Sequence, residues 1–179
     1  MKITEFKESF YNKGFFRIND SKPFDLFPDI ETCSWKNLKN QGLQIIFRDN
    51  DVESGIKNVH NFLGDNYIRL LDPNFRYGDY CEIVNGMDDA TLVWHNDACE
   101  GYNLCVLLYF DTLDADIGGK ISFREIMSKE KTGDFYPQKF DIAFLNHSTR
   151  FEHIVEDMKL PLPRRVASFN FHVNEILTG

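Results

Sequence analysis

At 179 residues the chain is long enough to bury a sizeable core as a single domain, and 42% hydrophobic with 27% charged residues is ordinary globular composition. A net charge of −8 argues against a broad nucleic-acid footprint, which needs a basic stripe to displace counterions. No apolar run approaches bilayer length, and residues 1–8 mix charges where a secretory leader carries an apolar stretch, so a cytoplasmic protein without a membrane partner is expected. Aromatics reach 15%, with 17 Phe, which suits a β-rich domain packed on pleated surfaces. Cys33, Cys81, Cys99 and Cys105 show no paired spacing and read as reduced thiols.

Thr4 can cap a first helix whose Phe6, Phe10 and Tyr11 share a face, with Gly14 as its stop. Residues 15–18 read as a strand, 21–42 as irregular around a short helix over 34–41 closed by Gly42, and 43–47 as a strand buried on both faces. Asn50 or Asp51 caps the next helix, in which Val52, Ile56, Val59 and Leu63 recur at helical spacing until Gly64. His60, beside that stripe, reads as a packed or surface-edge histidine. Residues 1–78 are thus expected to form a helical support with outer strands.

From about residue 79 short strands alternate with turn chemistry. Strands are predicted over 80–84, 91–94, 104–110, 120–124 (introduced by Gly118-Gly119), 140–145, 151–155 and 165–173. Residues 85–89 form a loop, 125–139 a polar surface excursion, and Pro161-Leu162-Pro163 stiffens the last connection. The expectation is a mainly β protein with N-terminal helices, residues 79–179 forming a sandwich or barrel of the jelly-roll kind.

His95 and Asp97 stand two apart, so on an extended segment both side chains leave by the same face. His153, from a distant apolar stretch, can add a second imidazole. Two His and one carboxylate with open positions make the facial triad of non-haem Fe(II) oxygenases. His-x-Asp alone is a weak motif, because Asp is abundant here and chance can supply it; the alternatives are Asp97 as a turn or capping residue and His153 as a satisfied core imidazole. The reading gains weight because His153 lies 58 residues after His95, and Arg165 a further 12 on, at the start of another strand.

Several pieces recur in a fixed order: His95-Asn96-Asp97, Leu107-Leu108-Tyr109-Phe110, Gly118-Gly119-Lys120-Ile121-Ser122-Phe123, residues 139–145, Glu152-His153-Ile154-Val155, and Arg165-Val166-Ala167-Ser168-Phe169. Together, residues 94–173 resemble the catalytic core of 2-oxoglutarate/Fe(II)-dependent dioxygenases, specifically the prolyl 4-hydroxylase-like branch; the first 78 residues match only loosely. The resemblance implies a double-stranded β-helix (jelly roll) braced by a helical layer. It implies Fe(II) on His95, Asp97 and His153, and 2-oxoglutarate with its distal carboxylate on Arg165. A guanidinium suits that carboxylate because it offers two parallel hydrogen bonds and stays charged when desolvated. Tyr109 is either a second donor or a plain core aromatic. Arg164 competes with Arg165, because one of two adjacent side chains on a regular strand must face outward.

The implied reaction takes O2 and 2-oxoglutarate, releases succinate and CO2, and hydroxylates an unactivated C–H bond, with ascorbate as an accessory. Its substrate is a prolyl residue of a protein or peptide, or alternatively a free amino acid or other small molecule. Asp97 favours hydroxylation over halogenation, since the related halogenases replace this carboxylate by a small residue. A nucleic-acid demethylase and a non-catalytic metal-binding jelly roll are the weaker alternatives. His147 and His172 read as structural or surface residues, His147 with a secondary place near the iron. Trp94 and Tyr102 either wall the substrate mouth or simply pack, and Cys99 has no catalytic role. Residues 85–90 and 125–138 are expected to face substrate.

Overall fold

The central strands are buried on both faces, and that double burial sets the architecture. The computed structural model describes residues 2–38, 43–86, 93–97, 102–160 and 162–174. Among them lie helices α1 (Ile3–Lys13) and α2 (Asn50–Leu63) and strands β1 (Phe15–Asn19), β2 (Trp35–Leu38), β3 (Leu43–Ile46), β4 (Arg76–Gly86) and β5 (Leu104–Tyr109). Strands β6 (Ile121–Glu125), β7 (Lys131–Phe135), β8 (Asp141–Asn146), β9 (Phe151–Val155) and β10 (Arg164–His172) follow. Seven strands form a major sheet in the order β1-β8-β5-β10-β4-β3-β2, and three form a minor sheet, β7-β6-β9, with antiparallel pairing throughout.

The central strands of the major sheet divide their residues between two cores. Leu104, Val106, Leu108, Ile142, Phe144, Ala167, Phe169 and Phe171 face the helical layer, where they meet Phe6 and Phe10 of α1 and Val52, Ile56, Val59 and Leu63 of α2. Cys105, Tyr109, Ala143, Leu145 and Val166 face the other way, onto Ile121, Phe123 and Phe135 of the minor sheet. The two sheets thus enclose a barrel interior, and the helices brace it from outside, as the double-stranded β-helix expectation requires.

The helix ends differ from the sequence expectations. Lys2 rather than Thr4 takes the N-cap position of α1, and Phe6 and Phe10 stack at 5.0 Å, a burial that stabilises by roughly 1.5–3 kcal/mol per ring. Gly14 ends α1 at φ 84°, and a Cβ there would lie 2.7 Å from the Phe151 ring, so glycine is what lets the chain turn against β9. Asp49, not Asn50 or Asp51, caps α2 by accepting from the Val52 N–H at 2.9 Å. Gly64 does not stop that helix; it stays right-handed, and the chain runs on through a π turn over Gly64–Ile68.

Several strand expectations also change: residues 93 and 94 belong to no strand, and β4 runs over Arg76–Gly86, taking in the first two residues of the expected loop. Trp35–Leu38 is strand rather than helix, because it pairs with β3 (Trp35 opposite Ile46); residues 39–42 lie outside the described residues. β3 is not buried on both faces: Ile46 is covered, but Phe47 just beyond it is 45% exposed near the sheet edge. The polar stretch 125–139 contains β7, an edge strand with only Phe135 buried, and half-solvated edge strands read as polar.

Candidate metal centre

The site begins at the free edge of β9. Among the described residues, the backbone of segment 93–97 bridges the minor sheet at one pair: the His95 N–H donates to the His153 carbonyl at 3.0 Å and the His153 N–H returns the bond at 2.7 Å. Residues bonded in this way stand directly opposite, so both imidazoles project to the same face, with ring centroids 4.3 Å apart. Asp97 joins them by a different route from the simple alternation expected. It sits at φ 43°, in the left-handed region that Asp tolerates better than most residues. The chain turns there and brings Oδ2 back to 3.6 Å from His95 Nε2 and 3.7 Å from His153 Nε2.

One donor atom from each of His95, Asp97 and His153 therefore lies within 4.8 Å of the others, the one such group among the described residues. His95 Nδ1 lies 2.7 Å from the Val93 carbonyl, which commits that nitrogen as the protonated donor and leaves the Nε2 lone pair for a metal. Burial, aided by the neighbouring His95, His147 and Arg164, pushes the His153 imidazolium far below its usual range, so its ring is neutral and ready to ligate. Asp97 remains half exposed, leaving one side of the centre open.

Deeper in the barrel the two arginines part company. Arg165 shares its parity with Ala167, Phe169 and Phe171 and leaves β10 toward the helical layer. There its Nε donates to Asp111 Oδ2 at 3.0 Å and Nη2 to Asp111 Oδ1 at 2.5 Å, and Glu31 Oε1 lies 2.6 Å from Nη2. These carboxylates hold its proton more firmly than usual. The expectation that Arg165 grips a ligand inside the barrel is therefore corrected: it shares the face of Ala167 and Phe169 toward the helical layer, where Asp111 and Glu31 occupy it. Arg164 shares parity with Val166 and points inward, and burial, opposed by the adjacent Tyr109, lowers its pKa.

Tyr109 is fully buried, which raises its pKa, and lies beside the Arg164 guanidinium, whose charge opposes that rise. Its hydroxyl and the Arg164 Nε are buried with no hydrogen-bond partner. Orphaned buried donors cost roughly 1–3 kcal/mol each, and the two oxygens of a carboxylate would answer both. Two glycines give Arg164 its room: Gly118 and Gly119, at φ 92° and 72°, bring the start of β6 close to Asp157, Met158 and the Arg164 side chain.

His147, just past β8, is a third orphan: 5% exposed, neither ring nitrogen has a partner, and its ring lies parallel to His153 at 6.2 Å. Burial, with His95 adding to it and Asp97 opposing it, lowers its pKa to about 4. His60 packs against Tyr77 and Phe171 with Nε2 at 3.2 Å from the Asn170 carbonyl, away from this centre. Trp94 stacks on Arg124 on the outer face of the minor sheet. Residues 87–92 and Cys99 lie outside the described residues, and the expected substrate-facing stretch 125–138 is in part strand β7. Sequence reasoning missed Asp111 and Glu31, since nothing in an isolated carboxylate marks it as the partner of a distant arginine. No described helix is long and apolar enough to cross a membrane.

No family model and no curated protein matches the chain. Solved structures do. HygX from Streptomyces hygroscopicus with nickel and 2-oxoglutarate bound superposes with a TM-score of 0.72 at 12% identity, over 98% of this chain and 89% of that one. A 2OG-Fe(II) oxygenase family oxidoreductase from Burkholderia pseudomallei gives 0.71 at 11% identity, over 96% and 90%. A prolyl hydroxylase from Trichoplax adhaerens, in complex with a hypoxia inducible factor oxygen degradation domain peptide fragment, gives 0.66 at 14%, over 98% and 92%. At these identities the likeness is one of fold: the chain has the jelly-roll fold of 2-oxoglutarate/Fe(II) oxygenases.

Proposed function

We propose that this protein is an Fe(II)- and 2-oxoglutarate-dependent dioxygenase that hydroxylates an unactivated C–H bond. The observation carrying this reading is the convergence of His95, Asp97 and His153 within 4.8 Å, beside the buried Tyr109 hydroxyl and Arg164 Nε, neither of which has a hydrogen-bond partner. When bound, Fe(II) and 2-oxoglutarate supply an O2-derived oxidant for the C–H bond, with succinate and CO2 as co-products.

In this reading His95 and His153 present neutral lone pairs and Asp97 a negative charge to the ferrous ion. Arg164, not Arg165, takes the distal carboxylate of 2-oxoglutarate, with Tyr109 donating a second hydrogen bond from its phenol. His147, neutral and buried, offers one N–H and one lone pair to groups held at the metal. The apolar walls from Phe123, Phe135 and Val166 keep bulk water from the interior, which strengthens each of these contacts.

The substrate we favour is a prolyl residue of a protein or peptide. Support comes from the prolyl hydroxylases among the fold relatives, one of which carries a peptide. A small molecule is the second reading, because a HygX structure holds hygromycin B. Both arise on one fold, so substrate-stimulated CO2 release across a panel of prolyl peptides, amino acids and amino sugars decides between them. Succinate formation should require both Fe(II) and 2-oxoglutarate and should vanish in Asp97→Ala while the circular dichroism spectrum stays unchanged. Full activity in Asp97→Ala would rule out the ligand assignment. Ascorbate should extend the number of turnovers without being consumed stoichiometrically.

A further inference from the structure

We propose that Arg124 is a positioning residue that clamps the metal-bearing segment 93–97 to the minor sheet, by stacking on Trp94 while ion-pairing with Glu152. The proposal rests on the ligand assignment above and extends it to the opposite face of the sheet.

The need for a clamp is visible in the backbone. Among the described residues, His95 is the one position of segment 93–97 bridged to β9, through two hydrogen bonds to His153. So short a pairing is marginal in water. Two of the three proposed ligands nevertheless depend on it, and Asp97 additionally sits in a left-handed conformation that a loose chain would not keep.

Trp94 and Glu152 each precede one of the two imidazoles. On extended backbone they leave by the face opposite to the metal. Arg124 on β6 is the direct cross-strand partner of Glu152 and shares that outer face. Its guanidinium lies 4.0 Å from the Trp94 ring centroid, and its Nε donates to Glu152 Oε1 at 2.5 Å. Glu152 is only 12% exposed and takes a second cation, Lys129, at 2.9 Å. The pairing of β6 with β7 slips between Phe123 and Arg124, and such an irregularity re-aims the side chain beside it.

One planar group thus ties together the chain neighbours of both imidazoles. Arginine suits the task because its flat face stacks on an indole while its edge donates to a carboxylate; an ammonium does not do both with one fixed geometry.

The test uses full-length protein in a Trp35→Phe background, which leaves Trp94 as the remaining tryptophan. Arg124→Leu and Arg124→Lys are compared with Arg150→Leu. The last removes another ion pair of the minor sheet, Arg150 to Glu125 at 3.0 Å, without touching Trp94. In metal-free protein, amide exchange at His95 and His153 should accelerate in Arg124→Leu and stay unchanged in Arg150→Leu, and Trp94 emission should shift to the red. Ni(II), used as a redox-inert probe, should bind Arg124→Leu about 10–100-fold more weakly, with Arg124→Lys recovering only part of the loss. Trp94→Leu removes the stack alone and carries the same amide-exchange and Ni(II) expectations should Arg124→Leu fail to fold.

Unchanged exchange and unchanged Ni(II) affinity in the Arg124 and Trp94 variants overturn the clamp. Equal effects in Arg150→Leu also overturn it, because the contribution would then be to the sheet at large. Failure of the parent protein to bind Ni(II) defeats the ligand assignment instead, while the exchange rates still decide the clamp.

Discussion

Arg164 and Arg165 are neighbours on one strand, yet they sit in opposite chemistries. On the helical side of β10 the packing is dense and aromatic, and Arg165 is answered by Asp111 and Glu31. On the barrel side the apolar cluster is smaller, and Tyr109, Arg164 and His147 all carry buried atoms without partners. One face of the sheet is finished for stability, and the other is left incomplete in a way that a carboxylate and a metal would complete. Unsatisfied groups on a single face are what a binding site looks like before its ligand arrives.

That contrast can be broken by substitution, and the largest effect belongs to the finished side. Phe144→Ala empties a fully buried position against Phe6 and Tyr67 and should lower unfolding free energy by about 3–5 kcal/mol in denaturant titration. The surviving folded fraction should bind 2-oxoglutarate normally. On the open side, Arg164→Met should do the reverse. It should weaken 2-oxoglutarate binding by about 2–5 kcal/mol, with no loss of Tm because a buried guanidinium is replaced by an apolar chain.

Arg165→Met separates the neighbours most sharply. It strands the Asp111 carboxylate, which is 14% exposed, and should cost about 1–3 kcal/mol of stability, while 2-oxoglutarate affinity stays at the parent value. If the two arginines exchange these phenotypes, the two faces have been assigned backwards. Tyr109→Phe is the mildest probe: stability holds, because the hydroxyl has no partner to lose, and 2-oxoglutarate affinity falls by about 0.5–1.5 kcal/mol in calorimetric titration.

Much of this arrangement was legible in the residues. The stripe Val52, Ile56, Val59, Leu63 marks α2, and the strands around the barrel show their hydrophobic runs because they are covered on both sides. The polar edge strand β7 and the edge strand β2 were not legible, since strands with a solvated face take their stability from partners distant in sequence. At the site, residue types and order led to His95, Asp97 and His153, whereas the choice between Arg164 and Arg165 turned on which face of β10 each takes, and both alternatives fit the same local pattern. Neighbouring residues on a strand leave by opposite faces, so naming the wrong one of an adjacent pair puts the side chain on the wrong side of the sheet. The left-handed turn at Asp97 and the Arg124 contact on Trp94 depend on tertiary packing that no local pattern encodes.

The most direct measurement is anaerobic titration of the Fe(II)-loaded protein with 2-oxoglutarate, followed by its visible metal-to-ligand charge-transfer band. The band should saturate at one equivalent in the parent protein and in Arg165→Met. It should need far higher 2-oxoglutarate in Arg164→Met and be absent in Asp97→Ala. A parent protein that develops no band, or an Arg164→Met variant that saturates at the parent concentration, would contradict the account.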